Sequence, residues 1–416
     1  MCFGVSSGDE MKSIKIITVT AFCFLFHAGI SADTHRTVID ASALGYFQES
    51  YEVSRDRFRS LSSEIKQRYD RTQISRLPVS SHMDKDLTID LCYLPALKKT
   101  KLIIISCGVH GVEGFAGSAV QRMFMSEILP KVDPENTGIF LIHGMNPYGF
   151  KYVRRVTEDN VDLNRNCDVD KALFASKNEG YSSLVEFLNP EKPVDMGSMG
   201  NQFFFVRAAI KILQKSMKNL RQSVLQGQYE FEKGIFFGGK DFEPHVALTK
   251  SALADVISDY DAVFGIDLHT GWGARNTLHL FPNPVENPTV RAAMEKIFEG
   301  YHIDWGDTED FYTTTGDFSD FIGKIVPGKF YIPMSFEYGT MDSHTTMGSV
   351  KSVHNMIIEN QGFHYGYKTK DDEIEVKKRF REMYYPSSDE WRSEVIRQAR
   401  EIFPVVIKRY QALDIK

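Results

Sequence analysis

Four stretches of the chain are almost unbroken runs of apolar residues: KLIIISCG (101–108), TGIFLIHG (137–144), DAVFGIDLH (261–269) and FYIPMSFEYG (330–339). Continuous apolar runs this short predict strands buried on both faces. LTIDLCYL (87–94) alternates apolar and polar positions and predicts a further strand. Elsewhere apolar positions recur every three or four residues, which predicts helices over 46–69, about 115–127, 205–226, 247–259, 287–299, 346–359, 371–383 and about 389–410. Strands alternating with helices predict an α/β fold: a single large domain with a mostly parallel mixed twisted sheet and helices on both faces. In such sheets the site lies beyond the carboxyl ends of the strands. No internal repeat or long Pro/Gly/Ser linker divides the pattern.

One apolar stretch has a different character. From Met11 the chain reads MKSIKIITVTAFCFLFHAGISAD. Lys12 and Lys15 precede an apolar run over 16–26, and Gly29, Ser31 and Ala32 supply small residues for cleavage. This is the pattern of a secretory signal peptide, too short to span a bilayer. The expected organisation is a leader over 1–32, with translation starting at Met11, and a mature domain over 33–416. The mature protein is expected to be secreted or periplasmic, with no stable membrane span. Of 416 residues, 42% are hydrophobic and 25% charged, which excludes a disordered or fibrous chain. Lys and Arg number 49 against 55 Asp and Glu, so the net charge of −6 argues against nucleic acid as a partner. The mature chain keeps Cys92, Cys107 and Cys167, an odd set that leaves room for one bridge at most.

The polar residues that break the apolar pattern cluster at the predicted strand ends. In GVHGVEGFAGSAVQ (108–121), His110 closes a strand and Glu113 follows three residues later among glycines. A one-turn spacing lets an imidazole and a carboxylate converge on one point, a metal-ligand arrangement when it falls beside a strand end. GMNPYGFKYVRRVTEDNVDLNRN (144–166) groups Arg154, Arg155 and Arg165 with Asp162 and Asn164. Guanidinium groups there could clamp a carboxylate or stabilise an oxyanion. In GIDLHTGWG (265–273), His269 again ends a buried strand. A lone histidine at such a place is more often structural, but this one completes a His/Glu/His set, the usual donors of a catalytic zinc with one open position. Glu337 sits in the apolar strand MSFEYGT (334–340), where an unpartnered carboxylate costs several kcal/mol or stays protonated. An acid/base facing a metal-bound water explains it. No HExxH, G-x-S-x-G, P-loop or dinucleotide fingerprint is present.

Taken in order, H-x-x-E, R…D-L-N-R, a histidine after a strand and the F-E strand resemble the zinc carboxypeptidase family. Within it the chain is similar to a bacterial branch known as a domain of unknown function, through HGVEGFAGSAVQ, NPYGFKYVRRVTEDNVDLNRN, GQYEFEKGIFFGG (227–239), DLHTGWG and FREMYYPSSDEWR (380–392). The resemblance covers about residues 40–410. It implies one Zn2+ per chain, held by His110, Glu113 and His269, with Asp162 orienting the first histidine. It implies that Asn164 and Arg165 grip the substrate's terminal carboxylate and that Arg155, with Arg154 as its rival, polarises the scissile carbonyl. Glu337 matches the general acid/base. Tyr312, in YTTTGDFSD (312–320), matches a substrate-binding tyrosine, although its gap to Glu337 is longer than the family's. Ser319 stands where the family often sets side-chain preference. The implied activity is hydrolysis of an amide next to a free carboxylate, on a peptide or acyl-amino-acid substrate. Deacylation of an N-acyl amino acid needs the same residues. A non-catalytic peptide-binding pseudoenzyme is the reading from another class, and a complete His/Glu/His/Glu set argues against it.

Overall fold

The computed structural model describes residues 38–282, 284–305 and 314–415, and Ile39–Lys416 form one compact unit. The expected leader over 1–32 and Tyr312 lie outside the described residues.

Among the described residues, seven strands form one sheet: β1 (Gln73–Pro78), β2 (Thr88–Leu94), β3 (Lys101–Cys107), β4 (Thr137–His143), β5 (Ala262–Thr270), β6 (Leu278–Phe281) and β7 (Phe330–Tyr338). Their order across the sheet is β1-β2-β4-β3-β5-β7-β6. The four apolar runs are the four middle strands, β4, β3, β5 and β7, and these pair in parallel. The outer strands β1, β2 and β6 pair antiparallel, so the sheet is parallel at its centre and antiparallel at both edges. The edge strands β1 and β6 carry mixed, partly exposed residues and give no continuous apolar run in the sequence.

The main helices are α1 (Tyr51–Arg68), α2 (Gly114–Met123), α3 (Pro147–Tyr152), α4 (Phe204–Lys215), α5 (Met217–Leu225), α6 (Pro244–Ile257), α7 (Pro288–Ile297), α8 (Phe318–Ile325), α9 (Thr346–Tyr365), α10 (Lys370–Tyr384) and α11 (Asp389–Ala412). Several begin where a hydroxyl satisfies a free amide: Ser50 for α1, Thr345 for α9, Ser388 for α11, and a capping box of Thr369 and Asp372 for α10. The single helix expected over 205–226 is two, because Ser216 takes φ +65° and restarts the chain as the cap of α5.

Strand periodicity sorts the faces. Cys107, Leu268 and Phe336 point to one side, where Gly117 of α2 lies against Cys107 and Leu268, and Phe336 packs on Phe403 of α11 at 5.3 Å. Ser106, Asp267, His269, Tyr331 and Glu337 share the opposite face by register, and Gly323 of α8 packs against Tyr331 there. Helices therefore cover both faces. Cys92, Cys107 and Cys167 are buried free thiols, so no bridge links them.

Candidate active site

The turn after β3 is fixed from two sides. Gly108 takes φ +75°, which glycine adopts without strain. Gly111 is required for another reason: a Cβ there would fall 2.2 Å from the Gly149 carbonyl carbon. The amides of Gly111 and Val112 donate to the carbonyls of Arg155 and Arg154, at 3.0 and 2.9 Å. The H-x-x-E turn and the double-arginine loop are thus one hydrogen-bonded unit, with Asn146 adding a bond to the Arg155 carbonyl.

Within this unit the expected ligands meet. One donor atom each of His110, Glu113 and His269 lies within 4.8 Å of the others, and all three residues are buried. His110 Nδ1 is 2.9 Å from Glu113 Oε1, and His269 Nδ1 is 3.0 Å from Glu113 Oε2. The far nitrogens face carboxylates: His110 Nε2 is 3.2 Å from Asp162 Oδ1, and His269 Nε2 is 2.7 Å from Asp267 Oδ2. This arrangement directs both Nδ1 atoms inward as ligands and fixes both rings. His110 Nδ1 is buried without a hydrogen bond, an orphan that a cation at the centre would satisfy. The donor set, its burial and this orphan fit a divalent metal such as zinc. Burial alone would push the Glu113 carboxyl up, but His110 and His269 outweigh it and hold it well below the usual range. Burial is likewise overcome at Asp162 by Arg155 and His110.

Asp267 carries no role in the sequence reading, although it stands two residues before His269 in GIDLH. Its other oxygen accepts from Ser106 Oγ at 2.7 Å, so it is held as Asp162 is. The signal was available: two residues along a strand is the same face.

Glu337 is the direct partner of His269 in the β5–β7 register, so both side chains leave the sheet on the same side. Its Oε1 accepts from the Trp272 amide at 2.9 Å. Burial, and then the negative charge of Glu113, push its carboxyl up to about 8.

The two adjacent arginines separate. Arg155 Nε donates to Asp162 Oδ2 at 2.9 Å, its Nη2 is 2.6 Å from His110 Nε2, and its Nη1 lies 3.4 Å from both Glu113 Oε1 and Tyr384 Oη. Arg154 turns away into a buried pair with Glu359 at 3.0 Å and lies over the Phe363 ring. Arg155 is the arginine of the site. Arg165 spends Nε and Nη2 on the Leu225 carbonyl and Nη1 on that of Asn164, which leaves N–H groups on both terminal nitrogens. Asn164 Oδ1 accepts from the Phe318 amide, leaving its Nδ2. The GQYEFEKGIFFGG segment holds this layer: Phe236 lies under both Arg155 and Arg165, and Tyr229 donates to the Arg165 carbonyl.

His110, Glu113, Arg155, Asn164, Arg165, His269 and Glu337 all line one cavity of about 980 Å³, near the top of the range for small-molecule sites. Tyr384 and Trp272 line it too, and Trp272 Nε1 is a buried donor without a partner. FREMYYPSSDEWR, recognisable in sequence without a role, is what delivers Tyr384. Ser319 does not line the cavity; it is buried on α8, and the Tyr331 hydroxyl donates to its carbonyl, whereas its neighbours Asp317 and Asp320 do line it. Much of the remaining wall is apolar and comes from residues 173–225, including Leu184, Leu188, Ile212, Leu220 and Val224.

A family described as "Protein of unknown function (DUF2817)" matches residues 47–398. Among solved structures, bovine thrombin-activatable fibrinolysis inhibitor in complex with tick carboxypeptidase inhibitor is 15% identical, over 76% of this chain and 97% of that one, with a TM-score of 0.43. A metallo-carboxypeptidase from Pseudomonas aeruginosa is 12% identical, over 73% and 66%, with a TM-score of 0.36. An aspartoacylase family protein from Mesorhizobium loti is 14% identical, over 72% and 68%, with a TM-score of 0.34. No curated protein matches the chain.

Proposed function

The chain belongs to the DUF2817 family, and we propose that it is a zinc-dependent hydrolase of the carboxypeptidase type, cleaving an amide bond next to a free carboxylate. The observation that carries this reading is the convergence of His110, Glu113 and His269 on one buried point, with Glu337 paired to His269 across the strands. Zinc bound there would supply a Lewis acid and a water acidified to near neutral pH.

The chain's own groups do the rest. Asp267 holds the His269 imidazole in the tautomer that presents Nδ1, and Asp162 together with Arg155 fixes the His110 ring through Nε2. With a cation held beside it to favour its ionised form, Glu337 would take the proton of the attacking water and return it to the leaving amine. Arg155, anchored through Nε on Asp162, faces the charge that develops on the carbonyl oxygen. Arg165 and Asn164 offer their remaining N–H groups to the substrate's carboxylate, which fixes the amide for attack. Tyr312 is assigned to substrate binding by the resemblance alone. The basic, apolar and small-residue pattern over 11–32 supports export to a secreted or periplasmic location.

A second reading is favoured by one feature, the aliphatic wall of the cavity: the amide cleaved is that of an N-acyl amino acid, with the acyl chain along Leu184, Ile212, Leu220 and Val224. Both readings are tested by incubating the full mature protein with matched peptide and acyl-amino-acid libraries, with and without a chelator. Chelator-sensitive release of a carboxyl-terminal residue or amino acid supports them. Absence of any metal-dependent cleavage across both libraries would leave a binding protein as the better reading.

A further inference from the structure

Between Met196 and Tyr229 the chain contains five basic residues and no acidic one, in a protein whose net charge is −6. This segment builds α4 and α5. Helix α4 carries two apolar stripes on opposite faces. Phe204, Ala208 and Ile212 line the cavity, and Phe204 stacks on Phe187 and His354. Val206, Ile210 and Leu213, at i, i+4 and i+7, form the second stripe and are exposed, Leu213 to 81%. Met199, Phe203 and Phe205 extend it, so six of the exposed large apolar side chains among the described residues fall within 199–213. Single exposed apolar residues need no explanation, but a cluster does.

Of the bases in this segment, Arg207, Lys215 and Lys218 have no acidic partner among the described residues, although Arg207 lies over the Phe187 ring at 5.2 Å; Lys211 lines the cavity. Arg207 bonds the Gly200 carbonyl and Lys215 the Ser183 hydroxyl, both neutral groups. An exposed aromatic and aliphatic stripe flanked by unneutralised Lys and Arg is the signature of a helix that lies in a membrane interface. An acidic protein face would also complement these bases; the aromatic and aliphatic stripe beside them is what favours a lipid surface.

We propose that the outer face of α4, with the start of α5, docks on an anionic lipid bilayer surface. The apolar stripe enters the headgroup boundary, and the bases contact lipid phosphates. The inner face of the same helix walls the cavity, so the docked helix would lie between the cavity and the bilayer.

The test is cosedimentation of the full mature protein with vesicles of phosphatidylcholine alone and of phosphatidylcholine mixed equally with phosphatidylglycerol. The mixed vesicles should carry the protein down, and raised salt should release it. Leu213→Asp and Ile210→Asp should each weaken binding ~10-fold or more, the scale of one buried aliphatic side chain. Lys215→Glu with Lys218→Glu should weaken it while leaving the circular dichroism spectrum and thermal unfolding unchanged, which excludes misfolding. Binding is read without turnover, so the result is independent of the hydrolase reading. No sedimentation with anionic vesicles, or equal sedimentation with both compositions, overturns the proposal. A concentration-dependent dimer in light scattering that Leu213→Asp dissolves also overturns it, by assigning the face to a second copy.

Discussion

Two parts of the cavity wall are held in different ways. Beyond the ends of β3 and β5 the polar side chains brace one another, His110 by Asp162, Asp162 by Arg155, His269 by Asp267 and Asp267 by Ser106, while Glu337 of β7 is held by the Trp272 amide. On α4 and α5 the wall is mostly apolar and held by packing, with Lys211 and Arg221 as its charged members. A braced polar cluster has few alternative arrangements, and loss of one member leaves a buried charge unpaired. A packed aliphatic wall loses contact area in proportion to what is removed. Substitutions should therefore act steeply on the first and gradually on the second.

The largest effect is expected at Glu337. Glu337→Gln keeps size and shape but cannot accept a proton, and turnover should fall at least ~10²–10⁴-fold, with metal content and thermal unfolding unchanged. Near-normal kcat in that variant would make Glu337 a structural carboxylate. Next come the braces. Asp162→Asn and Asp267→Asn should each lower metal affinity by ~10–100-fold, measured by competition with a chromogenic chelator. If Asp267→Asn binds metal as the wild type does, the two histidines are not held alike.

Arg165 should behave as a specificity residue. Arg165→Ala should lower kcat/KM for a free-acid substrate by ~10–100-fold, the scale of a lost charge-assisted hydrogen bond. It should also erase discrimination between that substrate and its carboxyl amide, and Arg165→Lys should fall between. Equal cleavage of acid and amide by the wild type would point to an endopeptidase or general amidase. The smallest steps belong to the helical wall. Val224→Ala or Leu220→Ala should shift the preferred acyl or side-chain length, by about fourfold in kcat/KM per methylene, with metal content untouched. A steep loss of metal there would show that the two parts of the wall are one cooperative unit.

The contrast also explains what could be read from the sequence. The four middle strands were legible because strands covered on both faces are written as continuous apolar runs. The edge strands β1 and β6 were not, because half-exposed strands carry mixed residues. His110, Glu113, His269 and Glu337 were legible because each interrupts an apolar run or ends one. Arg154 and Arg155 were not separable, since neighbours in a loop differ only in which partner each side chain reaches. Asp267 and Tyr384 act through contacts set by register and by a distant helix. The division of α4 from α5 was hidden because the apolar spacing runs through Ser216, whose positive φ leaves no mark on periodicity.

The most direct test of the site is metal stoichiometry. Full mature protein, dialysed against metal-free buffer after saturation with zinc, should retain one zinc per chain by plasma mass spectrometry. His110→Ala and His269→Ala should retain almost none while keeping the wild-type circular dichroism spectrum. Stoichiometric zinc in either variant, or none in the wild type, would contradict the assignment of His110, Glu113 and His269 as the metal centre.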